Sequence, residues 1–375
     1  MRGSHGQKRK ADDEEGPSEG PVPKVVNSSY PSTSSAALPS QSNSQPQQNP
    51  ANYPDLLNSS LILDNIPRYW NSALKLGSGA FGEVHLVHSD RLDERSQKMI
   101  HNEFVIKIVR VEMNKLENII REVKLHRMCR DHENVLFAGV CYCQMLDGGY
   151  RVHMCLEYAA MSDMSLFVMK DKTEGQIAYV CREVIKALVY IHEREIVHGD
   201  ITFKNVLATH RGVIKLSDFG MADTLSNTRI VGKEILGGTP GFIAPEIIRQ
   251  QGYDGRADVW SLGVLALSFV MRGNPFKQGM LFDFCTYQRQ ITADYYPDIE
   301  NLQITDEFRE FLDDLKQFDP TERSHAHELT LDLFIVDSCS RREFIEHYKN
   351  LRTRSGMDLP LPDEIQSFTV PDSRE

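Results

Sequence analysis

Apolar runs long enough to cross a membrane are missing from this 375-residue sequence. The longest run, Leu262 to Met271, has about half of the roughly 20 residues that a membrane-spanning helix needs, so it is interpreted as a buried helix. An excess of basic residues is missing too, because 42 lysines and arginines stand against 53 aspartates and glutamates. Binding to nucleic acid or to an anionic membrane needs a basic surface. We therefore expect neither kind of partner.

Cysteine patterns typical of metal sites, and a secretory signal, are missing as well. The seven cysteines are scattered along the chain, and Cys141 and Cys143 have only one residue between them. Structural zinc sites usually place about two to four residues between paired cysteines, so we expect free thiols in a reducing compartment. The residues from Met1 to His5 include no apolar stretch of the kind that a secretory signal contains. A cytoplasmic location, a nuclear location or both are expected.

Large apolar side chains are scarce at the beginning of the chain, where Ser, Pro, Gln and Asn dominate. Such a segment cannot bury enough apolar surface to offset the entropy lost on ordering, so residues 1–65 are predicted to be a disordered tail. Within this tail, Lys8-Arg9-Lys10 precedes the acidic run 12–15. The pattern is compatible with a nuclear-import signal and equally with a solvated cluster of charges.

Strand patterns follow the tail, and helical patterns come after them. Apolar residues alternate in part over 74–87, as in a hairpin with one buried face, and the β-branched run 104–109 is typical of a central strand. The charged stretch 89–103 is longer than a tight hairpin needs and is predicted to be a surface insertion, while 150–158 is predicted to be a further strand. Helical patterns occupy 118–128, 177–191, 257–335 and 340–354. Strands followed by helices imply two lobes with a cleft between them.

Five short motifs stand in a fixed order in the part of the chain that is predicted to fold. They are Gly77-Ser78-Gly79-Ala80-Phe81-Gly82-Glu83-Val84, Lys107 within 104–109, His198-Gly199-Asp200 with Asn205, Asp218-Phe219-Gly220, and Ala244-Pro245-Glu246. In this order and at this spacing they resemble the signature set of the eukaryotic protein kinases. The resemblance covers residues 70 to 335. It implies an α+β, bilobal kinase fold: a β-rich N-lobe at 66–158, a larger helical C-lobe at 159–335, an ATP cleft between them and a C-terminal extension at 336–375.

The glycine-rich run is the first part of the nucleotide site that the resemblance implies. Glycine lets backbone N–H groups approach a phosphate with no side chain in the way, and Gly77, Gly79 and Gly82 provide this, with Phe81 at the tip. Taken alone, these glycines would also fit a plain hairpin turn. The predicted phosphate-binding residues of the run are Gly77, Ser78, Gly79, Ala80, Phe81 and Gly82.

Lys107 is implied to reach the α- and β-phosphates of ATP, and it needs a carboxylate to orient it. Glu122 is the candidate for that carboxylate, with Glu117 as the fallback and a plain surface glutamate as the remaining alternative.

Residues on both sides of the cleft imply the adenine pocket. Val84 above and Leu207 below match the family's apolar sandwich, while Val105 stands where kinases usually have alanine and would tighten the roof. Leu156-Glu157-Tyr158-Ala159 resembles the hinge between the lobes. In that resemblance Leu156 is the gatekeeper, and the backbone of Glu157 and Ala159 would bond to adenine.

The same resemblance implies the catalytic residues. Asp200 would accept the proton of the attacking hydroxyl or orient it, and Asn205 and Asp218 would hold Mg²⁺ against the phosphates. Thr239, in the loop 238–246, matches the loop of kinases that act on serine and threonine. The implied cofactors are therefore ATP and Mg²⁺, and the implied partners are proteins with serine or threonine acceptors.

Two positions of the catalytic loop depart from the family pattern. Gly199 stands where most kinases have an arginine that pairs with an activation-loop phosphate, so we predict activity that does not depend on that phosphate. Thr202 stands where serine/threonine kinases have a lysine on the γ-phosphate. Lys204 lies two residues later, at the position of a basic residue in tyrosine kinases. Either Lys204 substitutes as a catalytic residue or the enzyme is slow, and a lysine there would repel basic substrates.

Two further positions are implied to have structural roles, and two stretches indicate a subgroup. Glu246 is expected to pair with Arg323, and Asp258 is expected to bind the backbone of the catalytic loop. The stretches 121–123 and 132–135 resemble the DNA-damage checkpoint kinases.

An active protein serine/threonine kinase is the leading interpretation of the sequence. The alternative is a pseudokinase, a kinase-fold scaffold with negligible transfer, which the departures at Val105, Gly199 and Thr202 favour and the retained catalytic residues oppose. A small-molecule kinase is a third interpretation, and the loop 238–246, a feature of protein kinases, stands against it. The sequence predicts no oligomeric state.

Overall fold

The computed structural model describes residues 62–63, 74–79, 82–93, 98–225, 237–277 and 282–356. Apart from Ile62 and Leu63, the predicted tail lies outside these residues. The predicted contacts of Ala80 and Phe81, and the last residues of the C-terminal extension from 357 onward, lie outside them too.

A six-stranded sheet forms the N-terminal lobe, with the strand order β1-β5-β6-β4-β3-β2. All neighbours in this sheet are antiparallel except β1, which lies parallel to β5. Lys107 lies on β4, between β6 and β3, so the predicted central strand is confirmed. The strands are β1 (Ile62–Leu63), β2 (Leu74–Gly79), β3 (Gly82–Asp93), β4 (Lys98–Glu112), β5 (Ala138–Leu146) and β6 (Gly149–Glu157).

Two details of this sheet differ from the sequence predictions. Residues 62 and 63, assigned to the tail, form β1 opposite Cys141 and Tyr142. The stretch 89–103, predicted to be an insertion, continues the β3–β4 ladder as far as the pair Asp93 and Lys98. Strand pairing satisfies the backbone N–H and C=O groups of both segments, which a charged loop would leave to solvent.

The predicted single buried face of the β2–β3 hairpin is only partly right. Leu74 and Leu76 are exposed, whereas the consecutive residues Leu86 and Val87 are both buried. Leu74 and Leu76 lie on the edge strand β2, and Leu76 faces the cleft between the lobes. Leu86 and Val87 belong to separate apolar clusters, because β3 is covered on both of its faces.

Helices make up most of the C-terminal lobe, as the sequence predicts. One apolar core joins α3 and α5 to the shorter helices around them. None of the described helices combines the length and the apolar content that crossing a membrane would take. The helices are α1 (Leu116–Cys129), which packs on the N-terminal sheet, α2 (Ser165–Met169), α3 (Glu174–His192), α4 (Pro245–Ile248), α5 (Arg256–Met271), α6 (Phe284–Thr292), α7 (Asp306–Leu315), α8 (Leu333–Val336) and α9 (Arg341–Arg354).

Short strands place the catalytic segments at the cleft between the lobes. They are β7 (Ile196–Val197), which pairs with β10 (Asp223–Thr224), and β8 (Val206–Ala208), which pairs with β9 (Ile214–Leu216). Both pairs are antiparallel. The loops that follow β7 and β9 lie side by side, since His198 Nε2 lies 3.0 Å from the carbonyl oxygen of Ser217 and Ser217 N bonds to that of Asn205. Together the two lobes form a bilobal α+β fold.

Candidate active site

A cavity of about 490 Å³ lies between the two lobes. This volume is in the range of small-molecule sites, which span about 300–1,000 Å³. Most of the predicted nucleotide residues that the structure describes line it. These are Gly77, Gly82, Val84, Val105, Lys107, Glu122, Leu156, Glu157, Ala159, Lys204, Asn205, Leu207 and Asp218.

Lys107 is held between two carboxylates at one end of this cavity. Its Nζ donates to Glu122 Oε1 and to Asp218 Oδ1, in both cases at 2.9 Å. Glu122 is buried on the inner face of α1, whereas Glu117 is exposed. Glu122 is therefore the carboxylate that orients the lysine in this structure, and the alternatives of Glu117 and of a plain surface glutamate are wrong.

The charges of this triad are set by burial and by one another. Burial opposes the charged form of Lys107, but the two carboxylates outweigh it and raise the pKa of the ammonium. Burial likewise opposes ionisation of Asp218, but Lys107 outweighs it and lowers the pKa of that carboxyl. For Glu122, burial and the charge of Asp218 together outweigh Lys107 and raise the pKa. The lysine and Asp218 are thus firmly charged, and Glu122 is the carboxylate most easily protonated.

Asp218 reaches Lys107 from a strained backbone position. Its φ of 63° lies in the left-handed region, which costs a non-glycine residue of order 1–3 kcal/mol and is typical of functional sites. A hydrogen bond from Gly220 N to Asp218 Oδ1 at 3.4 Å supports the turn. The next side chain, Phe219, is fully buried, stacks on His126 with ring centroids 4.6 Å apart, and packs edge-on against His198. Phe219 thereby anchors Asp218 beneath α1.

His126 ties α1 to the segment that precedes β5. Its Nε2 lies 2.7 Å from the carbonyl oxygen of Leu136 and donates to it, because a carbonyl can only accept. Burial lowers the pKa of His126 to about 4, from an ordinary value of 6.5. The imidazole is therefore neutral at physiological pH.

Acid is expected to destabilise the fold through His126. Below pH about 6.5 the unfolded chain binds a proton at this histidine, whereas the folded chain stays neutral until pH about 4, so the free energy of unfolding falls across that window. The shift corresponds to about 3 kcal/mol. Urea titrations between pH 7 and 4 should show His126→Gln losing this share of the fall. The exposed residue His325 provides the control, since His325→Gln should keep it, and an unchanged pH dependence in His126→Gln would contradict the assignment.

Asp200 is fixed from both sides in the catalytic loop. Its Oδ1 accepts a hydrogen bond from the backbone N–H of Thr239 at 2.9 Å, and its Oδ2 accepts one from Asn205 Nδ2 at 2.8 Å. Asn205 Nδ2 also donates to the carbonyl oxygen of Asp200 at 2.9 Å. Because its amide nitrogen is used here, the amide oxygen of Asn205 is the group left for the cavity. Thr239 contacts Asp200 through its backbone N–H. The sequence pattern predicted Thr239 as a catalytic residue but did not say which of its groups is used.

Asp258 holds the backbone of the catalytic loop from below, as the sequence predicts. Its carboxylate is fully buried and accepts hydrogen bonds from the N–H groups of His198 and Gly199, both at 2.8 Å. His192 Nε2 lies 2.9 Å from the same carboxylate. Although burial opposes ionisation, these contacts lower the pKa of Asp258. An ionised Asp258 therefore stabilises the turn in which Gly199 lies.

The backbone at Gly199 favours glycine for a local reason. Its φ is 77°, and a Cβ at this position would lie 2.9 Å from the carbonyl oxygen of Met221. A residue other than glycine would need a left-handed backbone conformation here, and its Cβ would displace the chain after Phe219. The sequence departure at this position thus relieves strain in the catalytic loop.

Lys204, and not Thr202, belongs to the cavity wall. Thr202 is buried, and its Oγ1 accepts a hydrogen bond from the N–H of Lys204 at 3.3 Å. Lys204 is exposed and lines the cavity with Asn205. Among the residues that the structure describes, Lys107 and Lys204 are the lysines that line this cavity.

The segment that resembles the hinge is tied to both lobes by Glu157. Its carboxylate Oε2 lies 2.8 Å from Lys215 Nζ on β9 and accepts a hydrogen bond from Phe137 N at 3.1 Å. Leu156 lies opposite Val105 on β4, and both line the cavity. Val105 packs with Leu86 in one apolar cluster, and a roof tighter than that of kinases with alanine at this position stays a prediction.

Several cavity residues escaped the sequence prediction. Apart from Tyr158, which lies in the stretch that resembles the hinge, they belong to no contiguous motif, and folding alone brings them to the cleft. Asp163, a carboxylate four residues beyond Ala159, could have been found from the sequence. The other residues are apolar side chains, two serines, a histidine and a tyrosine, and no sequence pattern singles them out. The additional lining residues are Leu76, His126, Leu136, Met154, Tyr158, Ala160, Ser162, Asp163 and Ser217.

Comparison with known proteins bears on the whole arrangement. The family model described as protein kinase domain matches residues 70–335. The chain belongs to the protein kinase family. The match includes both lobes and the cavity, so the fold is the bilobal kinase fold that the motifs imply. ATP and Mg²⁺ use is general in this family.

Relatives of this kinase carry names of two kinds. A Caenorhabditis elegans protein, provisionally named as a tyrosine-protein kinase, is 50% identical over 314 residues, which are 84% of this chain and 95% of the relative. Serine/threonine-protein kinase pakB of Dictyostelium discoideum is 30% identical and matches 72% of this chain and 30% of its own length. Serine/threonine-protein kinase hippo of Drosophila melanogaster is 32% identical and matches 71% of this chain and 38% of its own length. The chain thus spans about a third of these last two relatives.

The resemblance to DNA-damage checkpoint kinases finds no support in these relatives. None of the three is named as a checkpoint kinase. The stretches 121–123 and 132–135 have structural roles instead, since Glu122 pairs with Lys107 and Asn134 bonds to Glu183 and to the carbonyl of Ile214.

Proposed function

We propose that this kinase domain transfers the γ-phosphate of ATP to serine and threonine hydroxyls of proteins. One observation carries the proposal: Glu122, Lys107 and Asp218 are joined in a single ion-paired chain on the wall of the cavity that Asn205 also lines. Asn205 in turn holds the carboxylate of Asp200. A scaffold with negligible transfer would not need all five side chains in these positions.

Phosphoryl transfer needs little covalent chemistry from the protein, but it needs geometry and charge. The two hydrogen bonds to Asp200 leave its carboxylate oriented to accept the proton of an acceptor hydroxyl. Lys107 would bind the α- and β-phosphates, and Lys204 would offset charge at the γ-phosphate. Lys107 and Lys204 both line the cavity, as these roles require.

The donor set at the cavity fits Mg²⁺. The described residues contain no cluster of three or more His, Cys, Asp or Glu that could hold a metal ion by itself. Mg²⁺ commonly uses one or two protein ligands together with phosphate oxygens and water. Asn205 and Asp218 provide two such ligands, and Mg²⁺ held there would neutralise charge on the phosphates.

The position of Thr239 supports serine and threonine as acceptors. Its N–H bonds directly to Asp200, so the loop 238–246 lies within one hydrogen bond of the catalytic carboxylate. A peptide on that loop would reach Asp200 with a short side chain more readily than with a phenol. The names of pakB and hippo agree with this choice.

Tyrosine is the second candidate acceptor. Lys204 stands at the position of a basic residue in tyrosine kinases, and the 50% identical relative carries a tyrosine-kinase name. The test is transfer of labelled γ-phosphate from Mg-ATP to matched peptides with Ser, Thr or Tyr as the sole acceptor. We expect labelled Ser and Thr peptides, and none with Asp200→Asn. Transfer to the Tyr peptide alone would overturn the acceptor class, and ATP binding without transfer would favour the scaffold.

Activity is expected not to depend on phosphorylation of the activation segment. Gly199 has no side chain to pair with a phosphate, and Asp258 holds its backbone already. Alanine at Thr224, Ser226 and Thr228 together should change kcat by less than about fivefold, measured on the chain before and after phosphatase treatment. Ser226 and Thr228 lie outside the described residues. A loss of activity in the triple variant, matched by a loss on dephosphorylation, would contradict the proposal.

A further inference from the structure

The C-terminal helix α9 lies outside the matched kinase domain, which ends at residue 335, yet it is packed into the C-terminal lobe. A capping box at Ser340 and Glu343 starts it. Phe344 stacks on Tyr179 of α3 with ring centroids 4.9 Å apart, and it also meets Phe167 of α2 at 5.7 Å. The buried side chains of the helix are Phe344, Tyr348, Leu351 and Arg352. The helix is therefore an integral part of the folded lobe.

Tyr348 connects this helix to the segment that follows the hinge. Its hydroxyl donates to the carbonyl oxygen of Asp163 at 2.9 Å and lies 3.3 Å from that of Met161. The side chain is 1% exposed, and burial raises the pKa of its hydroxyl, so the group keeps its proton and acts as a donor. A residue near the end of the chain thus holds two backbone carbonyls about 185 residues away.

The segment held by Tyr348 forms one wall of the nucleotide cavity. Ala159, Ala160, Ser162 and Asp163 line that cavity. From the inner side, Met161 N bonds to the carbonyl oxygen of Ala208 on β8, and Asp163 bridges to Leu207 on the same strand. From the outer side the segment is held by Tyr348.

The conformation of this segment explains why a second support matters. Ser162 has a φ of 70°, which lies in the left-handed region and is unfavourable for a residue other than glycine. Such a turn persists only when its surroundings fix it. Asp163 directly follows Ser162, and its Oδ1 accepts a hydrogen bond from the N–H of Ser165. The position of Asp163 in the cavity therefore depends on the turn at Ser162.

We propose that Tyr348 is a positioning residue for nucleotide binding and that α9, which carries it, contributes to the nucleotide affinity of the kinase domain. Tyr348 fixes the carbonyls of Met161 and Asp163, and through them the wall of the cavity that adjoins the hinge. This inference rests on the proposed use of the cavity for ATP. Loss of the hydroxyl loosens the wall that contacts the nucleoside and leaves the Lys107 and Asp200 networks in place.

The test is Tyr348→Phe in the full chain, with Tyr179→Phe as a matched control. Tyr179 is equally buried, its hydroxyl donates to the carbonyl oxygen of Gly212 at 2.8 Å, and Gly212 does not line the cavity. Both variants keep the ring and lose the hydrogen bonds of one hydroxyl, so they should lose similar thermal stability. Kd for Mg-ATP is measured by calorimetry, and KM for ATP and kcat are measured by peptide phosphorylation.

Tyr348→Phe is expected to raise Kd and KM for ATP about three- to tenfold, which is the range of one net hydrogen bond. kcat should stay within about twofold, the pattern of lost binding shared by substrate and transition state. Tyr179→Phe should change neither constant. Equal constants for both variants, or a fall in kcat at unchanged KM, would overturn the inference. A wild-type chain that binds no ATP would instead overturn the proposed function on which it rests.

Discussion

Replacing Lys107 by methionine is expected to lower kcat/KM for peptide phosphorylation by about 10²- to 10³-fold, the loss typical of removing one preorganised electrostatic group from an active site. The ammonium sits 2.9 Å from both Glu122 Oε1 and Asp218 Oδ1. Without it, a phosphate would meet two neighbouring carboxylates and no cation on this wall of the cavity. The measurement is steady-state phosphorylation of a Ser/Thr peptide over a range of Mg-ATP concentrations.

Lys115→Met is the control for this prediction. Lys115 pairs with Glu112 at 3.0 Å on the surface, and its loss should leave kcat/KM unchanged, because exposed pairs contribute little. Lys107→Met should also weaken the tie between α1 and the Asp218 turn, which circular dichroism and a urea titration would detect. A Lys107→Met chain that retains more than a tenth of wild-type kcat/KM would contradict the role of this lysine.

The catalytic motifs could be predicted from the sequence because each is short and carries its chemistry in residue types. Lys107, Asp218 and Asn205 are found on the cavity wall where the motifs imply. The choice between Glu122 and Glu117 needed the structure. Both residues lie on α1, and they differ in that Glu122 lies on the buried face of the helix and Glu117 on the exposed face. Thr239 shows the limit of residue types, because its contact with Asp200 uses the backbone N–H that every residue except proline has.

Contacts between distant parts of the chain were out of reach of sequence patterns. The pattern of 340–354 predicts a charged helix, but it does not say which side chains of that helix are buried or what they cover. The bond from Tyr348 to Asp163 joins residues 185 positions apart. The exposure of Leu74 and Leu76 has the same origin, since an alternating pattern does not reveal that β2 is an edge strand.

The largest loss of stability is expected from breaking the buried pair of Glu246 and Arg323. The guanidinium meets the carboxylate in a bidentate contact of 2.8 and 3.2 Å, with both side chains at most 1% exposed. Arg323 also donates to the carbonyl oxygens of Gln317 and Arg256, and it lies over the ring of Trp260. Removing one partner leaves the other charge buried without compensation, which costs roughly 3–5 kcal/mol.

Glu246→Gln and Arg323→Met are therefore each expected to lower the free energy of unfolding by about 3–5 kcal/mol in urea titrations at neutral pH. Arg342 and Glu346 provide an exposed pair at 3.0 Å on α9, and Glu346→Gln should change the free energy by less than about 0.5 kcal/mol. The double variant Glu246→Gln/Arg323→Met should lose less than the sum of the single changes, because no charge is left unpaired. Strict additivity would contradict this account.

The same pair is expected to affect activity through the loop 238–246. Glu246 lies at the end of that loop, Thr239 lies near its start, and Thr239 N bonds to Asp200. Between them, Ser261 Oγ on α5 donates to the carbonyl oxygen of Phe242 at 2.6 Å, so the loop is tied to the helical core at its middle as well as at its end. Arg323→Met should consequently raise KM for the peptide more than KM for ATP, because the nucleotide cavity has no lining residue in this loop. An equal rise in both constants would mean that the pair supports the whole domain and has no separate effect on the peptide-binding loop.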